Sequence, residues 1–341
     1  MTRACSSVFM MVGGGFAQDN LEFSGKPQSD FHQCGLADIP AFTVSQEKAG
    51  SNGFVQAVPR PADEISSARM RIYKSLEPEN AQSMAVVSGD LPSMATLKNQ
   101  AVAAAEAEDI EVVGEFDYPI SGLIDWTPLA QQVIESGALS AYLIGEPRFV
   151  GSIANSLREQ GWEGDVLAES NVYDRTFIDS AGANAEGAII RSAFHPFEEA
   201  SEWPATGQYL DILNEHVSDP KIAVLGMQSF SAWLLFATAA NNCAASNNGT
   251  LTRACVLEAA AAVDDWTAGG LNTPADPGPE GGTPSECEMA ITVNADGEFE
   301  RLSPEVGSDE DTADGFTCFE DSLAPVPDNA GKGVTDPDQP L

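Results

Sequence analysis

Short apolar runs alternate with amphipathic stretches from residue 84 to residue 217. The apolar runs predict strands at 84–88, 110–115, 141–144, 165–168 and 187–193. The stretches between them have helical spacing and predict helices at 92–107, 126–136, 148–160 and 204–217. Strands with two apolar faces that alternate with helices are typical of a parallel sheet covered on both sides. The pattern therefore predicts a doubly wound α/β architecture.

The ends of the chain carry other patterns. Before residue 84, strands are predicted at 8–12, 39–44 and 53–58, and a helix at 62–76. Beyond residue 221, apolar helices are predicted from about Ser229 to Ala240 and from Thr252 to the glycine pair at 269–270. A β-hairpin is predicted at 288–303, with its turn at 295–297. The acidic, proline-rich tail from Pro304 is expected to be loop-like, held only near Cys318 and disordered after about Asn329.

The charge balance changes the expected set of partners. The chain has 16 lysines and arginines against 52 aspartates and glutamates, a formal net charge of −36. A polyanion repels nucleic acids and anionic lipid surfaces, so neither is an expected partner. No run of 18 apolar residues is present, so no membrane span is expected. We interpret the short apolar run at 8–12 and its three following glycines as a buried strand and its turn rather than a signal peptide.

Six cysteines suggest disulfide bonds. Of the roughly 15 possible pairings, the local one is favoured because each pair then brackets its own loop. The favoured pairs are Cys5 with Cys34, Cys243 with Cys255, and Cys287 with Cys318. Such bonds need an oxidising compartment. Six buried free thiols in a cytosolic protein remain the alternative.

Catalytic and metal-binding motifs are not found in the sequence. The histidines His32, His195 and His216 lie in unrelated contexts, and neither a nucleophile elbow nor a Walker A lysine is present. No cysteine–histidine cluster suggests zinc, and the acidic stretch at 308–315 departs from the spacing of a calcium loop. The protein is therefore expected to be no enzyme and to need no cofactor or metal.

The candidate chemistry lies in loops that join strands to helices. In open α/β sheets ligands bind at the carboxyl ends of the strands, where helix N-termini offer free N–H groups and glycines let the backbone approach a ligand. The candidate loops are Gly13–Phe16, Ser45–Glu47, Gly89–Met94, Gly145–Pro147 and Glu169–Asn171. Each loop taken alone is either a plain turn or part of a binding site.

The order of these pieces resembles the type I periplasmic solute-binding proteins, in the branch that binds leucine, isoleucine, valine and related small molecules. The similar segments, spread over about residues 5–320, are VFMMVGGGF, IPAFTVSQEKA, FVQAVPRPADEISSA, MAVVSGD, AYLIGEPRFVGSIANSLREQGWEG, FHPFEEASEWPATGQYLDIL, GMQSFSAWLLFATAANN and ITVNADGEFER. No single segment is a signature, but their order is specific.

This resemblance implies two lobes, each a doubly wound, mostly parallel sheet flanked by helices. Lobe one would comprise 1–82 and 206–272, and lobe two 83–205 and 273–341. A ligand would bind in the cleft and the hinge would close around it. Family members begin with two further strand–helix units, so the chain is expected to be truncated, with lobe one incomplete and the export signal missing. A monomer outside the cytoplasm that delivers its solute to an ABC permease is implied.

The resemblance also implies ligand-binding residues. Amino-acid binders hold the α-carboxylate with backbone N–H and hydroxyl groups of lobe one, and the matching positions are Gly14, Gly15, Phe16, Ser45 and Glu47. An acid of lobe two holds the ammonium.

Glu169 lies at the position of that acid, and Glu146 is the next candidate. The usual tyrosine of the opening loop is replaced by Ser93 or Met94, so an uncharged amide or an apolar acid is as well supported as an amino acid. A ligand-sensing or surface protein without a permease partner is the alternative function.

Overall fold

The structure is a computed structural model of the chain, and it describes residues 2–15, 33–49, 53–278 and 282–327. The α-helices are α1 (Thr2–Ser7), α2 (Gln46–Ala49), α3 (Ala68–Leu76), α4 (Pro92–Ala107), α5 (Thr127–Glu135), α6 (Pro147–Glu159), α7 (Arg175–Ala181), α8 (Pro204–His216), α9 (Val224–Ser246) and α10 (Arg253–Ala261). The strands are β1 (Met11–Val12), β2 (Asp38–Ile39), β3 (Glu64–Ser66), β4 (Ser83–Gly89), β5 (Glu111–Tyr118), β6 (Ser140–Ile144), β7 (Asp165–Ala168), β8 (Ile189–Ser192), β9 (Cys287–Val293), β10 (Phe299–Ser303), β11 (Thr317–Cys318) and β12 (Leu323–Pro325).

The chain forms two compact units. Unit 1 comprises residues 1–65, 225–285 and 325–341, and unit 2 comprises residues 66–224 and 286–324. These ranges place α8 and residues 66–82 in unit 2, whereas the division drawn from the sequence places them in lobe one. The lobe boundaries expected from the sequence stay a prediction.

Unit 2 contains an eight-stranded sheet. Its strand order is β10-β9-β8-β7-β6-β4-β5, and β11 pairs with β9. The strands from β8 to β5 are parallel, while β9 runs antiparallel to β8 and forms the predicted hairpin with β10. Every residue of β6 is buried, as expected for a central strand covered on both faces. The mostly parallel, doubly wound architecture that the sequence predicted is therefore confirmed.

Three helices of unit 2 begin at a proline. Pro92, Pro147 and Pro204 each lie in the first turn of their helix. A proline fits there because the first N–H groups of a helix have no intrahelical partner and the ring already fixes a helical φ. Pro92 and Pro147 therefore set the ends of the short loops that follow β4 and β6.

Unit 1 is built around the long helix α9. Strands β1 and β2 pair in parallel, and Phe54 forms an isolated parallel bridge to Asp38. One apolar core joins Met10, Ile39 and Val55 from the N-terminal segments to Leu235 of α9 and to Val256 and Leu257 of α10. Arg253 at the start of α10 donates hydrogen bonds to the carbonyl oxygens of Val8, Phe9, Cys34 and Gly35. This one side chain holds the two N-terminal segments against the helix.

All three predicted disulfides are confirmed. Cys5 bonds to Cys34 and Cys243 to Cys255 in unit 1, and Cys287 bonds to Cys318 in unit 2. The last bond joins β9 to β11 directly. It holds the acidic tail near Cys318, as the sequence suggested.

Several predicted elements differ from the structure. The strand expected at 8–12 is only Met11–Val12 and follows helix α1. The strand expected at 39–44 ends at Ile39, and the one at 53–58 is a single bridge. The helix expected at 62–76 begins only at Ala68, because the residues before it form β3, which pairs with β12 near the end of the chain.

The C-terminal half also shows differences. Helix α9 is longer than the predicted 229–240, and α10 ends at Ala261, well before Gly269 and Gly270. The tail forms the short strands β11 and β12 instead of loop alone. The disorder expected after Asn329 lies outside the described residues. Across the described ranges, no helix is both long and apolar enough to cross a membrane.

Candidate functional site

The carboxyl ends of β4 to β8 and the residues directly after them form one edge of the unit 2 sheet. We call this the unit 2 edge. Parallel strands end at the same side of a sheet, so the loops after Gly89, Tyr118, Ile144 and Ala168 lie along it. Side chains from four separate parts of the sequence are brought to this edge.

The loop after β4 presents an acid rather than the residues expected from the sequence. Asp90 is exposed, and its carboxylate accepts the N–H of Ile120 at 2.8 Å. Ser93 and Met94 lie in the first turn of α4, with only 6% and 5% of their surface exposed. Contact of these two side chains with a ligand stays a prediction, and Asp90 is the exposed polar side chain of this loop.

An aromatic cluster lies beside that acid. The ring of Tyr118 packs edge-on against Trp126 and Phe149, with centroids 5.2 Å and 6.0 Å away. The Tyr118 hydroxyl donates to the carbonyl of Ile144 at 3.1 Å. Burial raises the pKa of Tyr118, and so does the nearby charge of Glu146, so the hydroxyl remains a donor. Sequence reasoning missed this cluster, because its members follow two different strands.

Glu146 is an exposed carboxylate at the start of α6. It occupies the N-cap position, but its side chain makes no capping hydrogen bond. Gly145 before it has no room for a side chain, since a Cβ there would lie 1.7 Å from the Tyr118 hydroxyl oxygen. Asn171, from the loop after β7, donates to the Gly145 carbonyl at 2.8 Å. Glu146 is thus held on a tightly packed turn while its carboxylate faces solvent.

Glu169 is buried and already has partners within the protein. Only 3% of the residue is exposed. Its carboxylate accepts the Tyr142 hydroxyl at 2.9 Å and the Arg191 guanidinium at 3.2 Å. A buried carboxylate needs a cation or several hydrogen-bond donors. Arg191 provides the cation, and the Tyr142 hydroxyl provides a further donor.

Arg191 also binds a second acid. Its guanidinium lies 3.0 Å from a carboxylate oxygen of Glu288, which is likewise buried. Burial acts to lower the pKa of Arg191, but the charges of Glu288 and Glu169 outweigh it and hold the pKa above its usual value. The three residues form a buried ionic triad under the unit 2 edge, and a role for Glu169 as the ammonium ligand stays a prediction.

The edge of unit 1 is made of backbone. We define the unit 1 edge as Gly13–Gly15 with the segment around Ser45. Gly13 has φ +69° and donates its N–H to Ile39, while the Ser229 hydroxyl donates to the Gly13 carbonyl. Gly14 is the open position, because a Cβ there would meet no atom within 4 Å.

Ser45 directly precedes the short helix α2. The side chain is buried and accepts the N–H of Lys48 at 3.3 Å. The ammonium of Lys48 pairs with the buried Asp38 at 2.7 Å. Phe16 lies outside the described residues, and nothing is described of the Glu47 side chain, so these two positions stay predictions together with Gly14, Gly15 and Ser45.

The histidine His195 has a structural environment rather than a catalytic one. Its ring stacks on Trp203 at 3.7 Å, with Phe316 on another side. Burial and the positive charge of Arg301 lower the pKa of His195 to about 3, so the ring is neutral at ordinary pH. Within the described part of the chain, no group of three or more histidine, cysteine, aspartate or glutamate side chains could hold a metal ion.

Solved structures with the same fold are solute-binding proteins. A leucine-binding protein from Thermotoga maritima MSB8 superposes with a TM-score of 0.70 and 15% identity, covering 88% of this chain and 81% of that one. A fatty acid ABC transporter substrate-binding protein from Thermomonospora curvata superposes with a TM-score of 0.70 and 17% sequence identity. The match covers 90% of this chain and 77% of that one. A substrate-binding protein of an ABC transporter from Aeropyrum pernix superposes with a TM-score of 0.69 and 15% sequence identity. The match covers 86% of this chain and 75% of that one. No curated protein matches the sequence.

The family follows from the sequence itself. The model of the periplasmic binding protein family matches residues 33–298, which is more than half of the chain and includes parts of both units. The matched range contains the unit 2 edge with all its loops. The chain belongs to the periplasmic binding protein family, and the resemblance to type I solute-binding proteins is confirmed.

Proposed function

We propose that the protein binds a small polar solute outside the cytoplasm and delivers it to the permease of an ABC importer. The observation that carries this proposal is the unit 2 edge, where the exposed carboxylates of Asp90 and Glu146 lie on loops next to the aromatic cluster. In a chain of the periplasmic binding protein family, exposed carboxylates beside aromatic rings at this edge support the interpretation as a binding surface.

The chemistry of the edge favours a ligand with an ammonium or amide donor. Glu146 offers an exposed carboxylate without a capping bond, and a hydrogen bond to a charged group contributes about 1.5–3 kcal/mol. Trp126 is half-buried and offers an apolar face to the rest of the ligand. A branched-chain amino acid or a related amide combines these two features. Glu146 replaces Glu169 as our first choice for the ammonium, because Glu169 already binds Arg191.

The names of the structural neighbours do not indicate which ligand this chain binds. One is named as a leucine-binding protein and another as a fatty acid transporter component, although both share this fold. Those names do support transport as the purpose of binding. The three disulfides support a location in an oxidising compartment outside the cytoplasm. A sensor or surface protein of the same fold is the alternative, and it would bind the solute without binding a permease.

The proposal can be tested by calorimetry after a thermal-shift screen. The screen would use branched-chain amino acids, their amides, other amino acids and fatty acids. For the solute found, Glu146→Gln should lower the affinity about tenfold or more. Glu111→Gln is the matched control, because Glu111 is an exposed acid at the opposite, amino end of β5.

Equal affinities for the two variants would place the binding group elsewhere, and a screen without any hit would contradict solute binding of these classes. Co-purification with a permease would then separate an importer component from a sensor.

A further inference from the structure

Arg69 is a buried cation that has no hydrogen-bond partner in the described part of the chain. It lies on α3 in unit 2, and only 6% of the residue is exposed. None of its three guanidinium nitrogens has a hydrogen-bond partner among the described residues. An arginine stays charged in proteins and carries five N–H donors, and buried donors are almost always satisfied. Something that accepts hydrogen bonds is therefore required next to this side chain.

A small cavity lies beside Arg69. It lies between α3 and the sheet of unit 2, and its walls are Arg69, Ile72, Tyr142, Leu167, Ala168, Ile189, Arg191, Met289 and Ala290. The centre of a water-sized group can move through about 20 Å³ of it. A cavity needs roughly 10–15 Å³ by this measure to hold one water. The cavity therefore has room for one water-sized occupant.

The walls supply donors on one side and apolar groups on the others. Arg69 and Arg191 are the charged side chains that line the cavity. The acids Glu169 and Glu288 bind Arg191 but are not part of the walls. The Arg69 guanidinium lies over the ring of Tyr142, with its central carbon 5.4 Å from the ring centroid. The cavity thus faces positive charge, aromatic surface and aliphatic surface.

We propose that this cavity is a halide site, occupied by one chloride ion between Arg69 and Arg191. A halide only accepts hydrogen bonds, which matches the guanidinium groups of Arg69 and Arg191, because guanidinium nitrogens only donate. The ion also supplies the negative charge that Arg69 lacks, whereas Arg191 has its own pair of acids.

The charge of the whole chain sets the conditions for binding. The net charge of −36 repels anions at long range. Salt screens this repulsion, since the Debye length falls to about 8 Å at 0.15 M ionic strength and to about 3 Å at 1 M. The site should therefore fill at high chloride concentration. The occupied site ties α3 to the sheet of unit 2, so chloride should stabilise unit 2 whatever solute the protein binds.

The first test compares salts at constant ionic strength. The melting temperature of the wild type should be about 2–4 °C higher in 1 M sodium chloride than in 1 M sodium gluconate. In Arg69→Met the difference should vanish, and its stability in gluconate should equal or exceed that of the wild type because an unpaired buried charge is gone. Arg175→Met is the matched control, since Arg175 is an exposed arginine of the same unit, and it should keep the chloride effect.

The second test does not depend on how the variant folds. Crystals of the wild type grown in sodium bromide should show an anomalous peak between the Arg69 and Arg191 guanidinium groups. A chloride effect of equal size in the wild type and Arg69→Met, or bromide crystals without a peak in this cavity, would overturn the proposal and assign the cavity to water.

Discussion

The two edges differ in what they offer a ligand. The unit 1 edge consists of backbone at Gly13–Gly15 and a buried serine, and its most open position, Gly14, has no side chain at all. The unit 2 edge presents exposed carboxylates and aromatic rings at the ends of three strands, β4, β5 and β6. Among the described residues, unit 1 has a two-stranded sheet and two disulfides, whereas unit 2 has an eight-stranded sheet and one disulfide.

The difference indicates how each unit can be perturbed. A backbone edge is insensitive to the loss of a side chain and sensitive to added atoms. A side-chain edge is sensitive to the loss of a charge, both at the surface and in the buried triad below it. A unit with little sheet depends on covalent links, because few strand-to-strand hydrogen bonds hold its segments together.

Reduction of the disulfides should destabilise unit 1 much more than unit 2. Each bond contributes about 2–4 kcal/mol in the loop-entropy account, and unit 1 has two of them. Hydrogen–deuterium exchange with and without reductant can compare peptides from α9 with peptides from β6. Equal loss of protection in both peptides would show that the sheet of unit 2 provides no independent stability.

Arg191→Met should destabilise unit 2 by about 3–5 kcal/mol, because it leaves two buried carboxylates without a cation. Urea unfolding followed by far-UV circular dichroism measures this. The exposed Arg175 again provides the control, and Arg175→Met should change the stability by less than about 0.5 kcal/mol. If Arg191→Met proved as stable as this control, the ionic triad would contribute nothing to the free energy of unfolding.

Gly13→Ala should destabilise unit 1 by about 2–4 kcal/mol. The position has φ +69°, and a Cβ would lie 2.6 Å from the Ser229 hydroxyl oxygen and 2.7 Å from the Trp233 ring nitrogen. Gly14→Ala adds the same methyl group where it meets no atom, and it should leave stability unchanged within about 0.5 kcal/mol. Denaturant midpoints of the two variants give the comparison, and equal midpoints would contradict a backbone-packed unit 1 edge.

His195 should make unit 2 less stable in mild acid. Its folded pKa of about 3 is below the unfolded value of 6.5, so between these values the unfolded state binds a proton that the native state does not. Stability from this group is complete above pH 6.5 and decreases as the pH falls, by at most about 1.4 kcal/mol per pH unit.

The measurement is urea unfolding at pH 6.5 and 5.5, a range that lies above the ordinary carboxylate pKa values. His195→Gln should reduce the dependence of stability on pH, and His216→Gln, which alters an exposed histidine, should preserve it. A wild-type stability that is constant over this range would show that His195 is not held neutral.

Unit 2 was largely predictable from the sequence because its signals are local. Helix α4 and strand β7 have the predicted bounds, since Pro92 marks the start of the helix and the apolar run at 165–168 has clear limits. Unit 1 was predicted poorly, because its strands are short and depend on distant segments. Strand β3 pairs with β12, far along the chain, and nothing near Glu64–Ser66 indicates that pairing.

The candidate site was only partly predictable, again because some of its contacts join distant parts of the chain. The sequence located the loops and recognised that Glu169 needs a partner, but it could not identify Arg191 or Glu288, which come from two other strands. It assigned Ser93 and Met94 to a candidate binding loop, whereas both side chains lie buried in the first turn of α4, whose start at Pro92 it had predicted correctly. Contacts between strands are set by sheet order, which local patterns do not specify.

The central claim is that the chain binds a small solute at the unit 2 edge. Native mass spectrometry after incubation with the solute mixture tests it most directly. One solute mass per chain is predicted for the wild type and for Glu111→Gln, and it should be lost or strongly reduced in Glu146→Gln. A spectrum with only the unliganded chain, or equal occupancy in all three proteins, would contradict the claim.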